Sequence, residues 1–286
     1  FPTGFIDLTE IQGAVGTPIT YDLTLTAIAS AYEGQLTSAK EVKGQITVEQ
    51  EAIGFGININ WGEGDPQKIF IPPQGIVSWW KFNEGSGPIA SDSVGSNDGM
   101  LIGGFAWVDS KNGNALHFVG TGEPKRIIGG YVELNERLYM NPNSHSISFW
   151  YKSSESYFQM LFQKDLGGGC SNIEFSPSSN QIRVESYTNN LWDKGFSTGI
   201  DIDDGTWHHY ILVFSSANSK LYVDGNLADT ETASTDTENF GYELFGGYGS
   251  TSYTYGECPT GDLDEVMIFD TALTETEINN LYNSQK

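Results

Sequence analysis

Apolar and polar residues alternate with a short period along most of this chain. Ile19-Thr20-Tyr21-Asp22-Leu23-Thr24-Leu25 puts an apolar side chain at every second position, and so do Gln45-Ile46-Thr47-Val48-Glu49 and Phe55-Gly56-Ile57-Asn58-Ile59-Asn60-Trp61. A period of two lines one face of a β-strand, so three strands are predicted here. Between the first two, Ile28, Tyr32 and Leu36 recur at helical spacing. They predict a short helix within Thr26 to Lys43, weakened by Gly34. Ile71-Pro72-Pro73-Gln74-Gly75 then reads as a domain edge. It divides a smaller β-rich N-terminal segment, residues 1–74, from residues 75–286.

Beyond that edge the predicted strands are short and evenly spaced, with Gly, Asn, Asp and Ser between them. Ser146-Ile147-Ser148-Phe149-Trp150-Tyr151 is one and Trp207-His208-His209-Tyr210-Ile211-Leu212-Val213-Phe214 is another. Lys220-Leu221-Tyr222-Val223-Asp224-Gly225-Asn226-Leu227 is a hairpin turning on Asp-Gly, whose backbone suits a tight type I′ turn. No fixed repeat period exists, which excludes propellers and solenoids. The pattern predicts an all-β, two-sheet antiparallel sandwich. Its one exception is Thr274-Glu275-Thr276-Glu277, a capping box with Leu273 and Ile278 at the staple positions, which predicts a short C-terminal helix.

Composition narrows the function. Thirty-seven acidic residues against 14 basic ones give a net charge of −23. Such a surface repels phosphate backbones and anionic headgroups, so neither nucleic acid nor membrane insertion is expected of it. The chain starts at Phe1 without an initiator Met, as a processed, secreted or cell-surface product would. Cys170 and Cys258 are the two cysteines. They form either two separate thiols or, as an exported protein would favour, one disulfide closing a loop of ~90 residues.

Several segments from Gly75 onward resemble laminin-G-like, concanavalin-A-type jelly rolls. Val77-Ser78-Trp79-Trp80-Lys81-Phe82-Asn83-Glu84-Gly85-Ser86-Gly87 is similar to their opening strand and turn, and Asp92-Ser93-Val94-Gly95-Ser96-Asn97-Asp98-Gly99 to the loop that follows. Asn114-Ala115-Leu116-His117-Phe118, Thr206-Trp207-His208-His209 with Leu221-Tyr222-Val223-Asp224-Gly225, and Gly261-Asp262-Leu263-Asp264-Glu265-Val266-Met267-Ile268-Phe269 continue the series in order. The resemblance implies a jelly-roll fold and a structural calcium ion between the opening loop and the closing strand. It points to Asp92, Asn97 and Asp264 as ligands, with Asn83 and Asp98 further candidates. Many relatives carry Asp where Asn83 stands, so one ligand charge is missing. Asp and Asn also form such turns by bonding their own backbone.

Related jelly rolls include glycoside hydrolases with acids spaced E-x-D-x-x-E or E-x-D-x-E along one strand. No such array occurs here, since Glu63-Gly64-Asp65 is followed by Pro66 and Gln67. His208 and His209 are adjacent, so a regular strand sends them to opposite faces and they cannot share a metal; one is expected inward beside Trp207 and the other at the surface. No catalytic residues are expected. Tyr187 and Trp192, and Tyr248 and Tyr253, lie in Gly/Ser/Asn-rich stretches and are the candidate ligand-binding aromatics. Three readings follow. One is an extracellular, non-catalytic module that recognises a glycan or surface ligand. The second is a filament or surface-layer subunit, self-assembling through residues 1–74 by strand donation. The third is a carbohydrate-active enzyme.

Overall fold

The protein is seen here as a computed structural model that describes residues 19–28, 39–50, 55–60, 67–69, 72–110, 113–119, 130–141, 143–163, 171–186, 194–232, 240–246 and 259–286. The chain divides into two units, Phe1–Pro73 and Gln74–Lys286.

In the first unit, β1 (Ile19–Ile28), β2 (Ala39–Gln50), β3 (Phe55–Asn60) and β4 (Gln67–Ile69) form one antiparallel sheet in chain order. The expected strands are present and pair with one another. The expected helix is corrected at its two ends, residues 26–28 and 39–43, where β1 and β2 stay in register out to Ile28↔Ala39; residues 29–38 lie outside the described residues. Thr24, Thr26 and Ile28 are β-branched and stiff at χ1, which favours the extended chain over the helix.

The second unit is a sandwich of two antiparallel sheets. Its strands are β5 (Ile76–Trp80), β6 (Ile89–Ala90), β7 (Gly99–Ile102), β8 (Phe105–Ser110), β9 (Gly113–Phe118), β10 (Tyr131–Met140) and β11 (Ser144–Lys152). There follow β12 (Gln159–Gln163), β13 (Ser171–Ser176), β14 (Gln181–Ser186), β15 (Lys194–Ser197) and β16 (His208–Ser215). The last are β17 (Asn218–Val223), β18 (Asn226–Thr232), β19 (Phe240–Phe245) and β20 (Gly261–Phe269), and α1 (Glu275–Gln285) closes the chain. One sheet runs β15-β14-β13-β12-β19-β10-β7-β6. The other runs β18-β17-β16-β11-β20-β9-β8, with β5 also paired to β20.

Alternation decides which residues fill the space between the sheets. Ile147, Phe149 and Tyr151 of β11 and Tyr210, Leu212 and Phe214 of β16 join Phe162, Ile173, Phe175 and Phe245 from the facing sheet in one core. The β17–β18 turn has Asp224 at φ +50° and Gly225 at φ +79°, the left-handed pair that a two-residue hairpin needs.

The opposite face of β11 and β16 is covered by α1. Its capping box is complete: the Glu277 amide donates to Thr274 Oγ1 and the Thr274 amide to Glu277 Oε2. Ile278 and Leu281 are fully buried. Trp150 stacks on Tyr282 of the helix and on His209, and its indole donates to Gln285 Oε1 at 3.0 Å. Among the described residues, no helix is long and apolar enough to cross a membrane.

Candidate functional site

The site begins with a gap in the sheet. β9 and β5 share one edge of β20, β9 pairing with Gly261–Leu263 and β5 with Val266–Phe269. Asp264 and Glu265 fall between the two. Along the other edge the register against β11 shifts between Ser148 and Trp150, and Glu265 sits at φ +50°. This β-bulge re-aims two neighbouring acids inside a fully buried strand. Only 5% of Asp264 and 7% of Glu265 is exposed.

Burial and the neighbouring Glu265 charge push Asp264 up to about 8, against the pull of Ser110 and the Glu265 amide. Burial likewise raises Glu265 to about 7, opposed by hydrogen bonding from Trp79 and by the Lys81 charge. Glu265 Oε2 accepts from the Trp79 indole at 2.5 Å and from Gln285 Nε2 at 3.4 Å. It therefore ties the first strand of the sandwich and the end of α1 to β20. Lys81 lies 3.9 Å from the Trp79 ring centroid. Glu265 was not singled out from sequence, although two adjacent acids in a Leu-Val-Met-Ile-Phe strand are a legible signal.

The loop after β5 is built on Asp92. Its Oδ1 accepts from the amides of Trp79, Val94 and Gly95 at 2.9, 3.1 and 3.0 Å, and Oδ2 accepts from Asn97 N at 3.2 Å. Those amide bonds hold its carboxyl below the usual range even though burial opposes them. Asp98 Oδ1 accepts the Asp92 amide at 2.8 Å. Asn97 reaches across to the irregular part of β10: its Nδ2 donates to Glu136 O at 2.7 Å and its Oδ1 accepts Glu136 N at 2.8 Å. Only an amide side chain can both donate and accept in that way, which explains Asn rather than Asp there.

The five expected ligands are engaged by different partners. Asp92, Asn97 and Asp98 form a backbone-saturated knot that pins β5 to β10. Asn83 is exposed and its Oδ1 accepts Asn114 N at 2.7 Å, close over Gly113. Asp264 faces Ser110, which pairs with Gly113 at the end of the β8–β9 hairpin. Asn83 and Asp264 thus both approach residues 110–114. Among the described residues, no three His, Cys, Asp or Glu side chains converge as a metal cluster.

The histidines divide between two faces, as strand periodicity requires. His209 is fully buried beneath α1, where Nε2 pairs with Ser148 Oγ at 2.8 Å, and burial drives it down to about 3. It stacks on Trp150 and Tyr282 on the outer side of the sheet, which corrects the expected inward place beside Trp207. His208 is partly exposed. Its Nδ1 pairs with Asp224 Oδ2 at 2.8 Å and its Nε2 with Thr206 Oγ1 at 3.0 Å; the Asp224 bond raises its pKa. Tyr187, Trp192, Tyr248, Tyr253, Cys170 and Cys258 lie outside the described residues.

A family profile for the concanavalin A-like lectin/glucanases superfamily matches residues 126–279. The chain belongs to that superfamily. Solved structures agree on the fold. Domain 4 of AbnA, a GH43 extracellular arabinanase from Geobacillus stearothermophilus solved in complex with arabinotriose, is 20% identical, with a TM-score of 0.53 over 72% of this chain and 98% of that domain. The binding domain of botulinum neurotoxin DC in complex with SialylT is 18% identical, with a TM-score of 0.54 over 74% of this chain and 52% of its own. The same toxin domain in complex with rat synaptotagmin II is 17% identical, with a TM-score of 0.54. This chain spans about half the length of each toxin domain. No curated protein matches it.

The buried acid pair predicts a distinctive pH dependence in metal-free buffer. Unfolded carboxylates titrate near pH ~4, so the folded protein holds extra protons between there and the raised values of about 7 and 8. Stability contributed by the pair should fall as pH rises through that window. Chemical denaturation of Asp264→Asn should show a flatter slope from pH 5 to 8 and a gain over wild type at pH 8. An unchanged slope would refute the assignment.

Proposed function

We propose that Gln74–Lys286 is a non-catalytic carbohydrate-recognition module of a secreted or cell-surface protein. The observation that carries this reading is the end-to-end match with domain 4 of the arabinanase, which was solved holding arabinotriose. Two further points support it. The chain has no strand with the alternating acid array of jelly-roll hydrolases. The buried carboxylates of Asp92, Asp262 and Glu265 are engaged by backbone amides, by Lys152 with His117, and by an indole, instead of facing a cleft as an acid pair. The test is a glycan array with affinity electrophoresis on arabinan, neutral glucans and sialylated glycans, alongside turnover assays on the same polysaccharides. Retention without hydrolysis is expected. Cleavage, or no retention on any glycan, would overturn the reading.

A calcium ion remains part of this proposal, at a narrower place. The Asp92 knot fits it poorly, because both carboxylate oxygens are taken by amides. Asp264 fits better: it is a buried carboxylate without a cation partner among its described contacts, beside the Ser110 hydroxyl and the hairpin end that Asn83 also reaches. Bound there, calcium would supply the positive charge that burial denies the acid pair. Millimolar calcium is expected to raise the melting temperature at pH 8 relative to chelator. Asp264→Asn should abolish that rise and Asp92→Asn should leave it. No shift in wild type would remove calcium from the account.

A second reading has its own observation. Residues 19–69 make a sheet whose described strands pair only with one another, β1 forming one edge over ten residues. An edge strand of that length can accept a strand from another copy, which supports self-assembly through residues 1–74. Light scattering with size-exclusion chromatography should show mass rising with concentration, and a constant monomer mass would exclude it.

A further inference from the structure

We propose that Tyr139, with Arg137 beside it, is a stacking platform for a neutral sugar ring on the outer face of β10. This rests on the carbohydrate reading above and adds a binding residue to it. Tyr139 is 63% exposed, the most open large hydrophobic side chain among the described residues. It lies inside a strand rather than at a loop tip. Its neighbours are anchored: Leu138 packs against the core and Met140 is only 5% exposed. Strand alternation therefore directs the phenol outward and fixes its base. Across the ladder it faces Gly241, which has no side chain to cover the ring.

The Arg137 guanidinium lies 5.9 Å from the ring centroid. A flat, rigid aromatic face suits the C–H face of a pyranose or furanose, and a guanidinium fork beside it can donate to ring hydroxyls. Charge selects among ligands. The net charge of −23 repels anionic glycans, so a neutral saccharide suits the platform.

The experiment measures binding of arabinotriose, cello-oligosaccharides and a sialylated trisaccharide to the full chain by saturation-transfer NMR and calorimetry. Wild type should bind a neutral probe. Tyr139→Ala should weaken that binding about tenfold, in line with the loss of one aromatic contact, with no change in melting temperature because the ring is exposed. Tyr139→Phe should bind as wild type. Neutral-probe binding that survives Tyr139→Ala overturns this platform while leaving the carbohydrate reading intact. Binding of the sialylated probe alone overturns its neutrality. No binding of any probe refutes the carbohydrate reading and this inference with it.

Discussion

The sandwich depends on burying β20 in full. All nine of its residues from Gly261 to Phe269 are buried, and three strands lean on it, β11 along one edge and β9 then β5 along the other. A strand in that position must have its backbone groups paired on both sides. Where β9 ends and β5 begins, the chain bulges and two acids fill the break. An uninterrupted apolar strand would pack more simply, and the acid pair resists its own ionisation at neutral pH. What it provides is connection. Glu265 reaches the Trp79 indole and the last turn of α1, so the first strand, the last strand and the closing helix meet at one carboxylate.

Trp79 extends that connection in the other direction. Its indole donates to Glu265 and its backbone amide donates to Asp92. Asp92 organises a loop whose Asn97 pairs with both backbone groups of Glu136 in the opposite sheet. The path from β20 through Trp79, Asp92 and Asn97 to β10 therefore crosses from one sheet to the other by hydrogen bonds. Asp92, on this path, and Asp264, beside it in β20, behave oppositely. Asp92 is satisfied by four amides and stays ionised, whereas Asp264 has one amide, one hydroxyl and an adjacent acid, and resists ionisation. Burial alone does not decide the charge of an acid; the number of N–H groups aimed at it does.

Function in this fold sits on what the sheets leave outside. The interior is committed to packing, and His209, Trp150 and Tyr282 are committed to seating the helix. The net charge of −23 suits neutral ligands more than polyanions. Belonging to a superfamily of lectins and glucanases does not choose between binding and cleavage. The buried acids Asp92 and Glu265 serve the fold.

Much of the architecture was legible from local pattern. The period-two alternation of β11 and β16, the Asp224-Gly225 turn and the Thr274–Glu277 cap each depend on residues near in sequence, so a linear reading finds them. The helix expected within Thr26 to Lys43 gives way to strand at its two ends, residues 26–28 and 39–43, where β-branched residues already have a partner strand; residues 29–38 lie outside the described residues. The partners of the expected ligands are set in a different way. Asp92 and Asp264 look alike in sequence, and their roles depend on which amides and hydroxyls distant strands bring to them. His208 and His209 are likewise one motif on the page and two environments in space. Composition and periodicity determined that this chain would form a β sandwich with a capped helix and an acidic surface. Tertiary structure alone decided which carboxylates are neutralised by backbone and which are stranded, because solvation and hydrogen bonding are set by neighbours far away along the chain.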